Sequence, residues 1–253
     1  MLWHISSYNS SLSSYLSTLV VMKTLIVGAS GSIGSQVLLH CLAHPEISSI
    51  VAFVRRDLPL DISSHPKLQC VIIKDFLNWP EEILHAHSDA VGMLWNMGTN
   101  TGDIRADLEY PLAFIESMGQ VLETKSDRPP FKHVHLSGKF VRQDQEEKLC
   151  FLEEARKMKG RLETRSLAFA ESHATIWKTF IVRPGGVATK GLMIPGIIAT
   201  ILGENWSVRV EELAAFMTYL AIDGQGEDSL IENARIVRKG RNLLEHHKNN
   251  VKP

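Results

Sequence analysis

The sequence predicts an α/β fold, a doubly wound and mostly parallel sheet in a single domain, and three observations predict it. Short apolar, β-branched runs alternate with segments long enough for helices from Thr24 onward. Glycines at positions 28, 31 and 34 follow the first of those runs directly. The 253 residues show no linker-like break and no internal repeat, as expected of one such domain.

Each element follows in order. Thr24–Val27 is stiff and apolar and reads as a buried parallel strand ending at Gly28. Ser35–Leu42 is an apolar, helix-compatible stretch, and Ile47–Val54 is the second strand. Leu68–Lys74 is the third strand, Glu81–His87 a short helix and Ala90–Trp95 the fourth strand. Between Asp103 and Glu123, apolar residues such as Leu108, Leu112, Ile115 and Leu122 recur near helical spacing, and Pro111 predicts a kink or a restart. Phe131–Leu136 is the fifth strand, Glu146–His173 a long helix, and Trp177–Val182 the sixth strand. A helix at Val210–Asp223, a short strand near Leu230 and a polar, basic helix around Ala234–His247 complete the chain. Such alternation requires right-handed crossovers and puts the ligand crevice at the carboxyl ends of the strands.

Residues 1–21 are rich in Ser and Tyr and have no Lys or Arg, so they lack the basic start of a secretory signal. They read as a disordered N-terminal extension, and residues 22–253 as the folded domain. Net charge is −1 with 22% charged residues, which gives no strong field to recruit nucleic acid or an anionic membrane. Cys41, Cys70 and Cys150 are scattered and form no C-x-x-C pair, which argues against a disulfide framework and for a reducing, cytoplasmic compartment. His133 and His135 alternate on one strand face, yet no third ligand has sensible spacing, so they read as packing histidines rather than a metal site.

The glycine turn carries the chemistry. Gly28 takes the tight turn, Gly31 lets the backbone approach a pyrophosphate, and Gly34 lets the next helix sit close to the strand. Ser30, Ser32 and Ile33 belong to the same dinucleotide-binding set, with the phosphates on free helix N–H groups; a plain loop gives the same letters. Arg55 and Arg56 close the second strand, and their forked donors suit a 2′-phosphate, which selects NADP over NAD; Asp57 could still turn toward a ribose. Asp75, with Phe76 beside it, stands where it could accept a hydrogen bond from adenine, or simply cap a helix. In Asn96–Thr101, Gly98 allows close backbone approach and Thr99 could bond the cofactor, unless this is only a polar loop. Val187–Glu204 is apolar for a loop and reads as a lid over the substrate or as an oligomer contact, such as a homodimer's.

Gly28–Gly34, the arginine pair, Asp75–Phe76, Leu136-Ser137-Gly138, Lys159-Gly160-x-x-Glu163 and Arg183-Pro184-Gly185 together resemble the atypical short-chain dehydrogenase/reductases, extended and epimerase-like. The closest flavour is that of small fungal NAD(P)-binding proteins, and the resemblance covers about Met22 to Gly240. It implies a Rossmann fold, a cofactor held also by Lys159, Arg183 and Pro184, and a catalytic hydroxyl at Ser137. It also implies a Tyr four residues before a Lys, the Tyr supplying the proton and the Lys lowering its pKa and bonding the nicotinamide ribose. Lys159 fits the lysine, but the position four before it is Ala155.

A methyl group donates no proton, a contribution worth about 100- to 10,000-fold. Glu153, Glu154, Cys150 and Tyr110 are the substitutes within reach along the chain. Two functions follow: an NADP-dependent oxidoreductase or isomerase acting on a small, fairly apolar metabolite, or a catalytically silent NADP-binding protein that senses redox state or docks a partner.

Overall fold

A computed structural model describes residues 22–99, 101–125, 127–189 and 203–250. The reading of residues 1–21, and of most of Val187–Glu204, lies outside the described residues.

Apolar runs with strong β preference become the strands β1 (Met22–Val27), β2 (Ile47–Val54), β3 (Leu68–Ile72), β4 (Gly92–Trp95), β5 (Phe131–Leu136) and β6 (Trp177–Arg183). Two short strands, β7 (Gly186–Ala188) and β8 (Ser207–Arg209), pair with each other, and β9 (Leu230–Glu232) is the last. Among the described residues the main sheet runs β3-β2-β1-β4-β5-β6-β9, with every neighbouring pair parallel. The direction of winding reverses between β1 and β4, so the crevice opens at the carboxyl ends of those strands, beyond the pairs Val27–Phe53 and Val27–Trp95.

The helices are α1 (Ser32–Ala43), α2 (Leu60–Ser63), α3 (Glu81–Ala86), α4 (Tyr110–Glu123), α5 (Glu153–Ser172), α6 (Val210–Ile222) and α7 (Asn233–Asn250). Alternation along β1 sends Ile26 to one face with Val37, Leu38, Phe216 and Ile236, from α1, α6 and α7. Leu25 and Val27 face the other side with Phe114, Met118 and Leu162, from α4 and α5. The result is three layers, helix on sheet on helix. No helix among the described residues is long and apolar enough to cross a membrane.

Two boundaries shape the site; the first departs from the sequence reading and the second follows it. The helix expected from Glu146 begins at Glu153, because Leu152 takes a left-handed conformation (φ 47°) that cannot continue a right-handed helix. The residues before it turn on side chains instead: Asp144 accepts from the Glu146 amide at 2.9 Å, and Arg156 donates to the Phe151 carbonyl at 3.3 Å. The segment around Pro111 does restart, as a π-helical turn at Arg105–Glu109 that runs into α4 with Pro111 in its first turn. That turn carries Asp107 inward, where only 2% of it is exposed.

Candidate functional site

The turn after β1 has the geometry the glycines predict. Gly28 sits at φ 79°, and a Cβ there would be 2.7 Å from the Asn96 backbone carbon. A Cβ on Gly34 would overlap the Gly28 carbonyl oxygen, so α1 lies as close to the strand as only glycine permits. Gly31 is the residue before α1, and neither it nor an acidic side chain caps that helix. The first-turn N–H groups of α1 therefore remain for an anion, and the macrodipole favours one.

Two adjoining cavities lie over this turn. The first, of about 190 Å³, is lined by Gly28, Ser30, Gly31, Arg55, Arg56 and Phe76. Arg55 and Arg56 are exposed and form no ion pair among the described residues, so their forks are free. Asp75 does not line it: its carboxylate accepts from the Leu77 amide (3.2 Å) and the Asn78 side chain (2.9 Å) and takes Arg105 at 3.1 Å. It caps its own turn and not the start of a helix, since α3 begins at Glu81. Phe76 is 2% exposed and forms part of the floor.

The second cavity, of about 580 Å³, brings together Ser32, Ile33 and Gly34 with Gly98, Thr99, Ser137, Ala155, Lys159 and Pro184. Asn96 lies on the boundary shared by both, and its buried Oδ1 has no partner among the described residues. Lys159 extends from α5 to Asp107, with Nζ 2.8 Å from Oδ1. Asp107 also accepts from the Thr99 amide (2.7 Å) and the Thr99 hydroxyl (2.5 Å), so one buried carboxylate fixes both the loop after β4 and the lysine. The Ser137 hydroxyl donates to Glu163 at 2.5 Å. Glu163 is fully buried; Arg183 pairs with it through two nitrogens, and Gln143 donates to it at 3.0 Å. Arg183 accordingly faces away from the cavities: its guanidinium is committed to Glu163 and Glu232.

None of the residues considered as stand-ins for the missing tyrosine lines either cavity. Glu153 pairs with Lys157 at 2.7 Å, and that hydrogen bond, with the Leu149 amide, holds its carboxyl below the usual range. Tyr110 packs on Phe76, with the Arg105 guanidinium 5.3 Å from its ring centre. Glu154 and Cys150 are likewise absent from both linings. His133 and His135 are buried with ring centres 6.0 Å apart, and His133 also contacts Trp95, Phe114 and Trp177. Burial drives His133 down to about 3 and His135 well below the ordinary histidine value.

Sequence reasoning missed Asp107, Glu163 and Arg156. Glu163 stood inside a motif, Lys159-Gly160-x-x-Glu163, that could have flagged it. Asp107 and Arg156 carried no such signal, since their roles depend on partners brought in by the fold.

No family model and no curated protein matches the sequence. Solved structures do match the fold. The dTDP-glucose 4,6-dehydratase of Bacillus anthracis, in complex with NAD, is 17% identical with a TM-score of 0.59, over 89% of this chain and 82% of that one. A short-chain dehydrogenase/reductase from Mycobacterium ulcerans is 11% identical with a TM-score of 0.61, over 85% of this chain and 90% of that one. A short-chain dehydrogenase from Burkholderia cenocepacia, in complex with NADP, is 14% identical with a TM-score of 0.59, over 93% of this chain and 99% of that one. The fold is thus the Rossmann-like single domain of these structures.

Proposed function

We propose that the chain is an NADP-dependent oxidoreductase of the atypical short-chain dehydrogenase/reductase kind, acting on a small, fairly apolar metabolite. The observation that carries this reading is the uncapped start of α1 over Gly28–Gly34, continuous with a cavity rimmed by two unpaired arginines. The pyrophosphate would rest on the first-turn N–H groups of α1, and a 2′-phosphate on Arg55 and Arg56. Lys159 would hold the nicotinamide ribose from a position fixed by Asp107. NADP, when bound, supplies or takes up a hydride. Ser137 presents its oxygen at the same cavity wall and would position the substrate.

A second reading, a silent NADP-binding protein, is favoured by Gly102. That glycine, at φ 84°, lies over Ala155 so closely that a Cβ on it would be 3.1 Å from the Ala155 Cβ. The loop at Gly102 closes one side of position 155, while Ala155 also lines the 580 Å³ cavity, so a methyl group and not a proton donor faces that space.

The test is a fluorescence titration with NADPH, followed by NADPH oxidation against a panel of small aldehydes, ketones and their alcohols with NADP. Submicromolar to micromolar NADPH binding with turnover of any panel member supports the first reading. Binding with none across the panel selects the second, and absence of binding to either nicotinamide cofactor sinks both.

A further inference from the structure

The substrate end of the crevice holds a buried cation with no counter-ion. Arg156, in the first turn of α5, is 9% exposed and lines the 580 Å³ cavity. Its Nε donates to the Phe140 carbonyl at 2.6 Å and its Nη1 to the Phe151 carbonyl at 3.3 Å, and no carboxylate among the described residues pairs with it. Carbonyls satisfy donors without cancelling charge, and a desolvated charge is costly unless paired. Nη2, free of partners among the described residues, leaves part of the planar fork for an incoming anion.

The surroundings point the same way. Lys139 lines the same cavity with its ammonium 5.0 Å from the centre of the Trp206 ring and no ion pair among the described residues. Among the described residues no Asp or Glu lines this cavity, and the nearby buried carboxylates of Asp107 and Glu163 are neutralised by Lys159 and Arg183. Around these cations stand three exposed aromatics, Phe140 (44%), Phe151 (53%) and Trp206 (48%). Their rings form a chain, Phe140 to Phe151 at 5.9 Å and Phe140 to Trp206 at 6.2 Å, with the Arg156 guanidinium 4.6 Å from the Phe151 ring centre. Contiguous exposed aromatics beside unpaired cations suit a ligand with a flat apolar body and one anionic group.

We propose that the substrate is an aromatic carboxylate, its carboxylate on Arg156 and Lys139 and its ring against Phe140, Phe151 and Trp206. This rests on the reading of the adjoining half of the crevice as the NADP site, and it names the substrate class of that site. The arginine fork gives the direction of approach, and the aromatic rim disfavours small hydrophilic acids, which leave it wet and gain nothing from its burial.

The probes are 2-naphthoate, its neutral amide 2-naphthamide, and acetate, each titrated by calorimetry into the full chain with and without NADPH. Naphthoate is expected to bind at least about 10-fold tighter than naphthamide, as one charge-assisted contact implies, and acetate far more weakly than either. Arg156→Met should abolish the preference for the acid over the amide while NADPH affinity stays within about twofold. Trp206→Ala should weaken both ring-bearing probes together. Arg156 also ties two loop carbonyls, so Lys139→Met repeats the test on a side chain that makes no hydrogen bond among the described residues; the preference should fall several-fold there.

Equal binding of acid and amide, with and without NADPH, overturns the proposal, as does an unchanged preference in Lys139→Met. So does an Arg156→Met protein that loses NADPH instead of naphthoate, because the cations would then serve the cofactor. Naphthoate preference that survives in a protein unable to bind NADPH leaves this inference standing and removes the cofactor reading alone.

Discussion

Mild acid is expected to destabilise the fold through two histidines that cannot accept a proton where they are. His133 and His135 are buried at 0% and 3% exposure, and neither nitrogen of His133 has a partner among the described residues. Burial holds His133 near 3 in the native state, against 6.5 for a free imidazole, and His135 well below that free value. The unfolded chain therefore binds protons that the native chain refuses, and stability is lost as pH falls through the unfolded value. At about pH 5.5, one unit below 6.5, an unfolded histidine is roughly ten-elevenths protonated, which costs on the order of 1 kcal/mol for each histidine that stays neutral in the native state, or roughly 2–3 kcal/mol for the pair. At about pH 7.5 the same cost is under about 0.1 kcal/mol. Carboxylates titrate mostly below this window and leave it to histidine.

The assay is urea unfolding at the two pH values, followed by tryptophan emission, since Trp95 and Trp177 contact His133. With a slope of about 2–3 kcal/mol per molar urea, the midpoint should drop by about 1 M. His133→Phe should remove about half of that drop. It should also cost little at neutral pH, because the replaced nitrogens made no hydrogen bond and the pocket is already aromatic. A wild-type midpoint that does not move between the two pH values, or a full-sized drop in the variant, refutes the reasoning.

Four further outcomes follow from the crevice. Replacing Arg55 and Arg56 with Ser should weaken NADPH by roughly 10-fold per arginine and leave NADH within a few-fold, read by fluorescence titration; equal losses for the two cofactors would contradict their assignment. Gly31→Ala should fold normally, since its Cβ would meet only the Gly28 oxygen at 3.3 Å, yet weaken NADPH by crowding the phosphate seat. Gly34→Ala, whose Cβ overlaps that oxygen, should lower stability by about 1–3 kcal/mol, seen as a melting temperature several degrees down. Asp107→Asn should cost about 1–3 kcal/mol and loosen the loop at Thr99, raising amide exchange there before it raises exchange in α4.

The strands and the glycine turn were legible because their signals are local. A stiff apolar run ending in Gly28 needs no distant partner to be recognised, and Arg55–Arg56 follow a strand whose end is set by the same logic. The start of α5 was not legible: Glu146–Leu152 is helix-compatible by composition, and only the left-handed turn at Leu152, tied down by Arg156, ends that possibility. The Lys159–Asp107 pair spans 52 residues and the Ser137–Glu163 bond spans 26, so neither exists until the sheet has brought α4 and α5 against β5. Arg183 shows the cost of reading a motif without its partners. Its place at the end of β6 suggested a cofactor contact, whereas the buried Glu163 claims its fork.

The bond between Ser137 and Glu163 also sets a polarity. A carboxylate held by Arg183 only accepts, so the serine's single proton is committed to Glu163, and its oxygen has only lone pairs left for a further partner. Such an oxygen greets a partner that brings its own hydrogen, an alcohol O–H or an amine N–H, and repels the lone pairs of a bare carbonyl. Under the oxidoreductase reading proposed above, the serine would be an ear rather than a hand and would favour the alcohol side of an alcohol–carbonyl pair.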